Sequence, residues 1–482
     1  MRIPFYVLLN IEIAAKQSRS TRGLRYVTIL CFFSLIFPFS SVSAQSGCPV
    51  PKIRKYALGQ RPVATPLLAS VTNAGNAADG NPVTNSTLNA ALGVLGLVTA
   101  TQYLSFNSQV AAGTPVYVKI NYPVSLVGLG SSFTVQPFVY DASHNEQPVG
   151  LSYTAGDLLA VLSGAGDMEV AFTPQTAAGT PVAYDGVSVT LNGVLSVGAS
   201  MGVYDAYILQ DATSATCNQP IDVLAGVRAG GLSIANATGS VTTKWNAIDA
   251  DPTLSTYAQL NTGLAVLSEV FETVLFNTTT RPGDSIYIVL QDPGAGLLDL
   301  NLLTGFTIQP YLGKTAAGSP ITNTNTLLNL RLLTGAGNKY VLSAAIPAAF
   351  DRIDIQMGGV VGALSSLLIY DVKTIMPVPT YGLTINGSAS ANPVCIKDAG
   401  KLQLNISNAD PCATYNWYQS NNTTLLGTGT SFKPVITSPG TYTYYVEAVR
   451  SGCNSVASNR MPVTVTVVPR PGAPLLTIQL NP

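Results

Sequence analysis

Histidine is almost missing from this chain: His144 is the only one in 482 residues. That excludes a histidine-rich zinc centre and leaves room for at most one Ser-His-Asp or Cys-His arrangement. Charge is scarce as well, with Asp, Glu, Lys and Arg making up 10% of the residues against roughly 25% in an ordinary domain, so a charge-rich disordered polymer is excluded. No Cys-x-x-Cys pair occurs, which removes local support for zinc ribbons and thioredoxin-like redox chemistry. After Arg25 the only basic cluster is Lys52-Ile-Arg54-Lys55, too small for a nucleic-acid surface. Beyond the first 44 residues every apolar run is interrupted by Gly, Asn, Thr or Pro before it can span a bilayer.

The first segment does hold one apolar run, Tyr26 to Phe39, preceded by Arg2, Lys16, Arg19, Arg22 and Arg25 and followed by Val42-Ser43-Ala44. A basic region, a short apolar stretch containing Pro38 and a small-residue cleavage site predict a secretory signal peptide over residues 1–44, with the mature chain starting near Gln45. Its removal leaves 19 basic and 23 acidic residues, a mildly acidic exported chain. The five remaining cysteines, Cys48, Cys217, Cys395, Cys412 and Cys453, should oxidise outside the cell. An odd count leaves one unpaired or bonded to another molecule.

The strongest signal is an internal repeat. Val71-Thr72, Asn76, Asp79, Asn81-Pro82, Phe106-Asn107, Gly113 and Tyr117 recur as Val241-Thr242, Asn246, Asp249, Asp251-Pro252, Phe276-Asn277, Gly283 and Tyr287, all offset by 170. With small gaps the match continues from Phe133-Thr-Val-Gln136-Pro137 to Phe306-Thr-Ile-Gln309-Pro310 and closes on Tyr204-Asp205 against Tyr370-Asp371. Residues 45–215 and 216–376 are therefore expected to be two copies of one domain, each too long to be a solenoid unit.

Within a copy, Val116-Tyr-Val118-Lys-Ile120, Met168-Glu-Val170-Ala-Phe172, Val187-Ser-Val189-Thr-Leu191 and Ser285-Ile286-Tyr-Ile288 place apolar, often β-branched residues at alternate positions. That is the signature of half-buried strands. The 43 glycines and 31 prolines are spread along the chain, as turns between many short strands require. Leu88–Leu104 and Ala258–Leu275 could each hold a short helix, though Gly93 and Gly96 favour strand and loop in the first copy. The predicted fold is all-β: two tandem antiparallel sandwiches of jelly-roll type, then a third module.

That module follows the linker Met376-Pro-Val-Pro379. Leu402, Leu404 and Ile406 alternate, Tyr415-Asn-Trp417-Tyr418 follows, and Tyr442-Thr-Tyr444-Tyr445-Val446 and Val463-Thr-Val465-Thr-Val467 come later. A Trp on an early central strand with aromatics on a later one, over roughly 90 residues, predicts an Ig-like sandwich at 377–468 with Trp417 and Tyr444 in its core. Residues 469–482, beginning Pro469-Arg-Pro471, read as a linker or tail.

Cys395 before the first strand, the Tyr-x-Trp-Tyr core, Gly427-Thr-Gly429, Thr441-Tyr442 and Gly452-Cys453-Asn-Ser455 resemble the Ig-like modules of Bacteroidota surface and secreted proteins. Such modules often precede a gliding-motility-associated or type IX secretion sorting domain; this sequence stops at Pro482, so the expectation is either a fragment or a chain that reaches the surface another way. In that family the first and last cysteines look like a disulfide pair, which implies Cys395 with Cys453; Cys412 departs from the pattern. The two copies are similar to the N-terminal domains of such proteins and, through Asn246-Ala-Ile-Asp249-Ala-Asp251 with Thr256, to galactose-binding-type jelly rolls.

Candidate sites are few. Asn76, Asp79 and Asn81, and in the second copy Asn246, Asp249 and Asp251, place oxygen donors at the close spacing that could hold a structural Ca²⁺. The alternative is a turn whose Asx side chains bond their own backbone. Tyr257 and Trp245 could stack on a sugar ring if exposed, and otherwise pack in the core. His144, in Asp141-Ala-Ser-His144-Asn-Glu146, reads as a solvated loop residue. Asp351 with Asp354, or Asp157 with Asp167, would be the acid pair of a glycoside hydrolase only if they faced each other across a cleft, and no motif supports either. The expectation is a non-enzymatic, secreted or surface protein with an adhesive or matrix role, its partner a surface protein or a glycan. The alternative is a carbohydrate-binding protein with glycan sites on the two copies.

Overall fold

The computed structural model describes Cys48, residues 51–91, 98–123, Leu126, residues 132–159, 164–193, 198–212, 217–229, 239–262, 268–294, 306–322, 329–333, 338–358, 366–450, Cys453 and residues 457–472. The expected signal peptide and residues 473–482 of the expected tail lie outside them.

The first region contributes β1 (Lys52–Tyr56), β2 (Gly59–Ala64), β3 (Ala69–Thr72), β4 (Ser86–Ala90), β5 (Thr99–Val110), β6 (Val116–Tyr122), β7 (Phe133–Tyr140), β8 (Glu146–Pro148), β9 (Tyr153–Thr154), β10 (Gly164–Phe172), β11 (Tyr184–Asn192) and β12 (Ala199–Asp211). The second contributes β13 (Pro220–Ala229), β14 (Ser240–Thr242), β15 (Ala258–Asn261), β16 (Ser268–Phe276), β17 (Ser285–Gln291), β18 (Phe306–Leu312), β19 (Thr315–Ala316), β20 (Ile321–Thr322), β21 (Asn329–Leu332), β22 (Tyr340–Ala345), β23 (Arg352–Gly358) and β24 (Ser366–Ile375). Strands β4 and β5, and β15 and β16, occupy the two windows where a helix had been an option.

In the first region β2-β5-β11-β7-β8 form one sheet, and β10-β6-β12-β4-β3 form the sheet opposite. In the second region the orders are β13-β16-β23-β18-β19 and β14-β15-β24-β17-β22-β21, the same sequence of positions strand for strand apart from β1, which pairs with β12 in the first region, and the edge strand β21 in the second. The short 3-10 helices Ala74–Ala78 and Lys244–Ala247 also correspond, each entered through a left-handed residue, Asn73 at φ 52° and Thr243 at φ 50°. Each sandwich closes on its own core. Val116, Val118 and Ile120 fill the first together with Leu88, Leu104 and Phe133; Ile286, Ile288, Leu342 and Phe350 fill the second.

The sheets of the two sandwiches run together edge to edge. Strand β10 pairs with β13 through Gly164, Ala165 and Gly166 against Arg228, Val227 and Gly226, making a continuous 12-stranded sheet. Glycine is required at this crossing: Gly166 has φ 120°, and a Cβ on Gly226 would run into the Ala165 carbonyl.

The third region holds β25 (Tyr381–Ile385), β26 (Ser388–Ser390), β27 (Val394–Cys395), β28 (Leu402–Ile406), β29 (Ala413–Tyr418), β30 (Leu425–Thr428), β31 (Ser431–Phe432), β32 (Gly440–Arg450) and β33 (Met461–Val468). These build a two-sheet sandwich, β26-β25-β28-β31 against β27-β33-β32-β29-β30. Trp417 is fully buried at its centre, stacked on Phe432 at 5.3 Å, and donates its indole N–H to the Gly429 carbonyl at 3.0 Å. Tyr444 packs in the same core.

The implied Cys395–Cys453 bond does not form. Cys48 is bonded to Cys412 and Cys217 to Cys453, while Cys395 is free and half-buried. Strand register explains why. Cys395 lies opposite Val468, and Gly440 opposite Val467, so Cys395 sits at the start of β32; Cys453 follows its last residue, Arg450. The 11-residue strand separates those ends by about 33 Å, far beyond the Cα spacing of a disulfide. Cys412 precedes Ala413, which pairs with Arg450, so Cys412 and Cys453 share the end of the Ig-like module that meets the sandwiches.

Candidate functional site

Each sandwich carries one of the two Asx loops that the repeat marks. Asp79 accepts the Asn81 amide at 2.8 Å and the Thr84 hydroxyl at 2.7 Å, Asn81 accepts the Val83 amide at 3.1 Å, and Asn76 donates to the Asn85 carbonyl at 3.1 Å. In the second loop Asp249 accepts from the Asp251 amide and Thr256, Asn246 donates to the Tyr257 carbonyl, and Asp251 accepts from Thr253 and Ser255. Hydrogen bonds from Ser255 and Thr253 hold the Asp251 carboxyl far below the usual carboxylate range. The six residues are thus engaged by their own loops, as self-bonded turns require. Among the described residues no group of three His, Cys, Asp or Glu is placed to hold a metal ion.

Tyr257 stands on the rim of its loop, 37% exposed, edge-on to Tyr370 at 5.4 Å. Trp245 is half-buried and faces the ammonium groups of Lys119 at 4.8 Å and Lys244 at 5.7 Å, so it lines the junction between the sandwiches. The proposed acid pairs are engaged separately: Asp351 with Arg352 and the Gly313 amide, Asp354 with Arg228 and Thr273, Asp157 with Thr154, and Asp167 at the junction.

That junction concentrates the charge that the rest of the chain lacks. Lys119 on β6 lies directly across from Glu169 on β10 and Asp205 on β12, so three ionisable side chains share one face. Asp222, from β13, binds both Lys119 and Arg54, the latter at 2.6 Å; Glu169 binds Arg352 at 2.7 Å; Arg228 binds Asp354 at 2.5 Å. Lys119, Asp222, Asp205 and Glu272 are 1% exposed or less. Neither carboxylate oxygen of Asp205 or of Glu272 has a hydrogen-bond partner. Burial pushes the Asp205 carboxyl up to about 7, reinforced by the neighbouring Asp222, and the Glu272 carboxyl up to about 8. A cavity of about 90 Å³ is walled by Asp167, Glu169, Arg228, Phe271, Arg352 and Asp354.

A second feature escaped the sequence. On the first sandwich, Gln60, Arg61, Tyr103, Tyr140, His144 and Glu146 line a groove of about 440 Å³. Arg61 makes a two-pronged pair with Glu146 at 2.7 and 2.6 Å and lies over the Tyr103 ring at 4.5 Å. His144, exposed and left-handed at φ 63°, stacks on Tyr140 with 4.0 Å between ring centres. Gln60 and Arg61 come from β2, Tyr103 from β5, and Tyr140, His144 and Glu146 from the β7–β8 hairpin, and no local spacing could have joined the hairpin to β2 and β5.

Comparison with known proteins identifies the C-terminal region. Residues 385–469 match the family described as Ig-like domain CHU_C associated, and the third sandwich is an Ig-like module. No curated protein matches the chain. Among solved structures, a fucolectin from striped bass (Morone saxatilis) serum is 12% identical, covering 67% of this chain and 97% of that one at a TM-score of 0.22. The family 32 carbohydrate-binding module of C. perfringens NanJ in complex with galactose is 11% identical, over 33% of this chain and 99% of that one, at 0.20. Allantoicase from Saccharomyces cerevisiae is 8% identical, over 66% and 90%, at 0.21. At those identities and scores these likenesses carry neither a ligand nor a reaction to this chain.

Proposed function

We propose that this is an exported, non-enzymatic protein of the cell surface or extracellular matrix, of the Bacteroidota type, made of a signal peptide (1–44), two jelly-roll-like copies (45–215 and 216–376) and the Ig-like module (377–468). The observation that carries this reading is the disulfide pattern. The cysteine at the start of each sandwich is bonded to the Ig-like module rather than within its own sandwich, which couples all three modules covalently. Such long-range bonds persist in an oxidising compartment, not in a reducing cytosol, and they suit a unit that must hold its shape under load. Protease shaving of intact cells and non-reducing electrophoresis of the culture medium test it. Disulfide-bonded chain at the surface or in the medium supports the proposal; reduced chain confined to the cytoplasm sinks it.

The second reading is glycan binding, and the groove of Arg61, Tyr103, Tyr140, His144 and Glu146 favours it. Fixed aromatic faces beside charged and amide groups suit a sugar ring with its hydroxyls. A broad polysaccharide panel with wild type and the Tyr103→Ala and Tyr140→Ala variants decides. Binding that both variants lose supports a sugar site there, and no binding to any member removes it.

A further inference from the structure

Where the 3-10 helix Lys244–Ala247 of the second sandwich reaches edge strand β10 of the first, a lysine, an aspartate and an isolated glutamate converge. The Lys244 ammonium lies against Asp167 Oδ2. The other carboxylate oxygen, Oδ1, accepts from the Tyr204 hydroxyl at 2.8 Å and the Asn121 side-chain amide at 2.9 Å. Both of those donors are neutral. Asp167 is 3% exposed, and the Tyr204 and Trp245 rings stand 5.1 and 5.7 Å from the lysine nitrogen.

Glu272, on β16, completes the group: Gly166 pairs with Gly226 and Ala225 with Glu272, so Asp167 and Glu272 stand on the same face of the continuous sheet with β13 between them. It is fully buried, and neither of its oxygens has a hydrogen-bond partner. Lys244 is the charge that acts on it. At neutral pH burial keeps it in the carboxylic acid form, because the charged form is penalised more than the lysine compensates.

We propose that Lys244 and Asp167 condense into an intramolecular isopeptide bond that joins the two sandwiches, with Glu272 as the proton relay. The lysine nitrogen attacks Asp167 Cγ; the Nζ–Cγ bond forms, the Cγ–Oδ2 bond breaks, and Oδ2 leaves as water. Of the three ammonium protons one stays on the amide nitrogen and two depart in that water. Glu272 passes its proton to Oδ2 and takes one from the ammonium, so it ends as it began. No oxidant or reductant takes part. Negative charge in the tetrahedral intermediate develops on Oδ1, where Tyr204 and Asn121 already donate. Holding the reactants in contact is worth an effective molarity on the order of 10⁵ M or more, which drives condensation against the water released. The product also replaces two buried charges with a neutral amide.

The other buried lysine contact, Lys119 with Asp222, is built differently. Asp222 Oδ2 is bound by the Arg54 guanidinium at 2.6 Å, so Asp222 is shared between two cations, where Asp167 has one.

The test is the mass of the whole secreted chain, reduced and denatured, after its N-terminus has been located, followed by fragmentation of proteolytic peptides. The expected wild-type mass is that of the sequence less one water, with a branched peptide joining Lys244 to Asp167. Lys244→Met, Asp167→Ala and Glu272→Gln each restore the full mass. A wild-type chain at full mass overturns the proposal whatever the variants do, and so does a water loss that maps to Lys119 and Asp222. Retention of the bond in Glu272→Gln overturns the relay.

Discussion

Arg450, near the end of the Ig-like module, makes a two-pronged ion pair with Asp284 of the second sandwich, both nitrogen–oxygen distances being 2.8 Å, and both residues are buried. The contact lies beside the Cys217–Cys453 bond, and Asn218 Oδ1 accepts a further bond from Arg450 at 3.3 Å. Fork-to-carboxylate geometry of this kind is strong and directional. Its worth to the fold depends on keeping both partners.

Replacing Arg450 with methionine leaves Asp284 buried without its cation. A loss of about 3–5 kcal/mol is expected, and the double variant with Asp284→Asn should recover part of it. Urea unfolding of the four proteins of this cycle measures both quantities. Equal stability in all four would show that the contact is open to solvent.

The disulfides close loops of 364 and 236 residues. Cys48→Ser and Cys217→Ser should each cost roughly 2–5 kcal/mol, read as a lower melting temperature by calorimetry, whereas Cys395→Ser should leave it unchanged. Alkylation of the unreduced, denatured mature chain should label Cys395 and no other cysteine.

Asp205 makes stability depend on pH in the direction opposite to an ordinary surface acid. Its folded value, about 7, lies above the unfolded value near 4. Between those values the unfolded chain releases the proton while the folded chain keeps it, so stability falls as pH rises from about 4 to about 7. Asp205→Asn removes that term, which is of the order of 4 kcal/mol across the window. Denaturant unfolding at pH 4.5 and 7.5, compared between wild type and variant, gives the difference. A variant with the wild-type slope would show that Asp205 is ionised in the fold.

Gly226→Ala places a methyl against the Ala165 carbonyl and should part β10 from β13. Faster proteolytic cleavage between the two sandwiches is expected, with each core kept intact. A cleavage rate equal to wild type would mean that the strands shift without separating.

Much of this architecture was legible in the residues themselves. Val463, Val465 and Val467 alternate in sequence and are buried in the fold, with Thr464 and Thr466 between them half-buried, because pleating sends successive side chains to opposite faces. Trp417 fills the centre that its place on an early strand implied. The Asx loops bond themselves over spans of two to eleven residues, and interactions that local are visible in local spacing.

What spacing could not convey was who meets whom at long range. Lys244 and Asp167 are 77 residues apart, Arg352 and Glu169 183 apart, and the cysteine partners farther still. The implied Cys395–Cys453 bond failed because strand register placed those residues at opposite ends of β32. Composition and periodicity are carried by each residue and its neighbours, and they determined the all-β class and the Ig-like module at the C-terminal end. Only the docking of β10 on β13 and of the Ig-like module on the sandwiches brought scattered acids, lysines and cysteines together, because a charge or a thiol chooses its partner by distance in space.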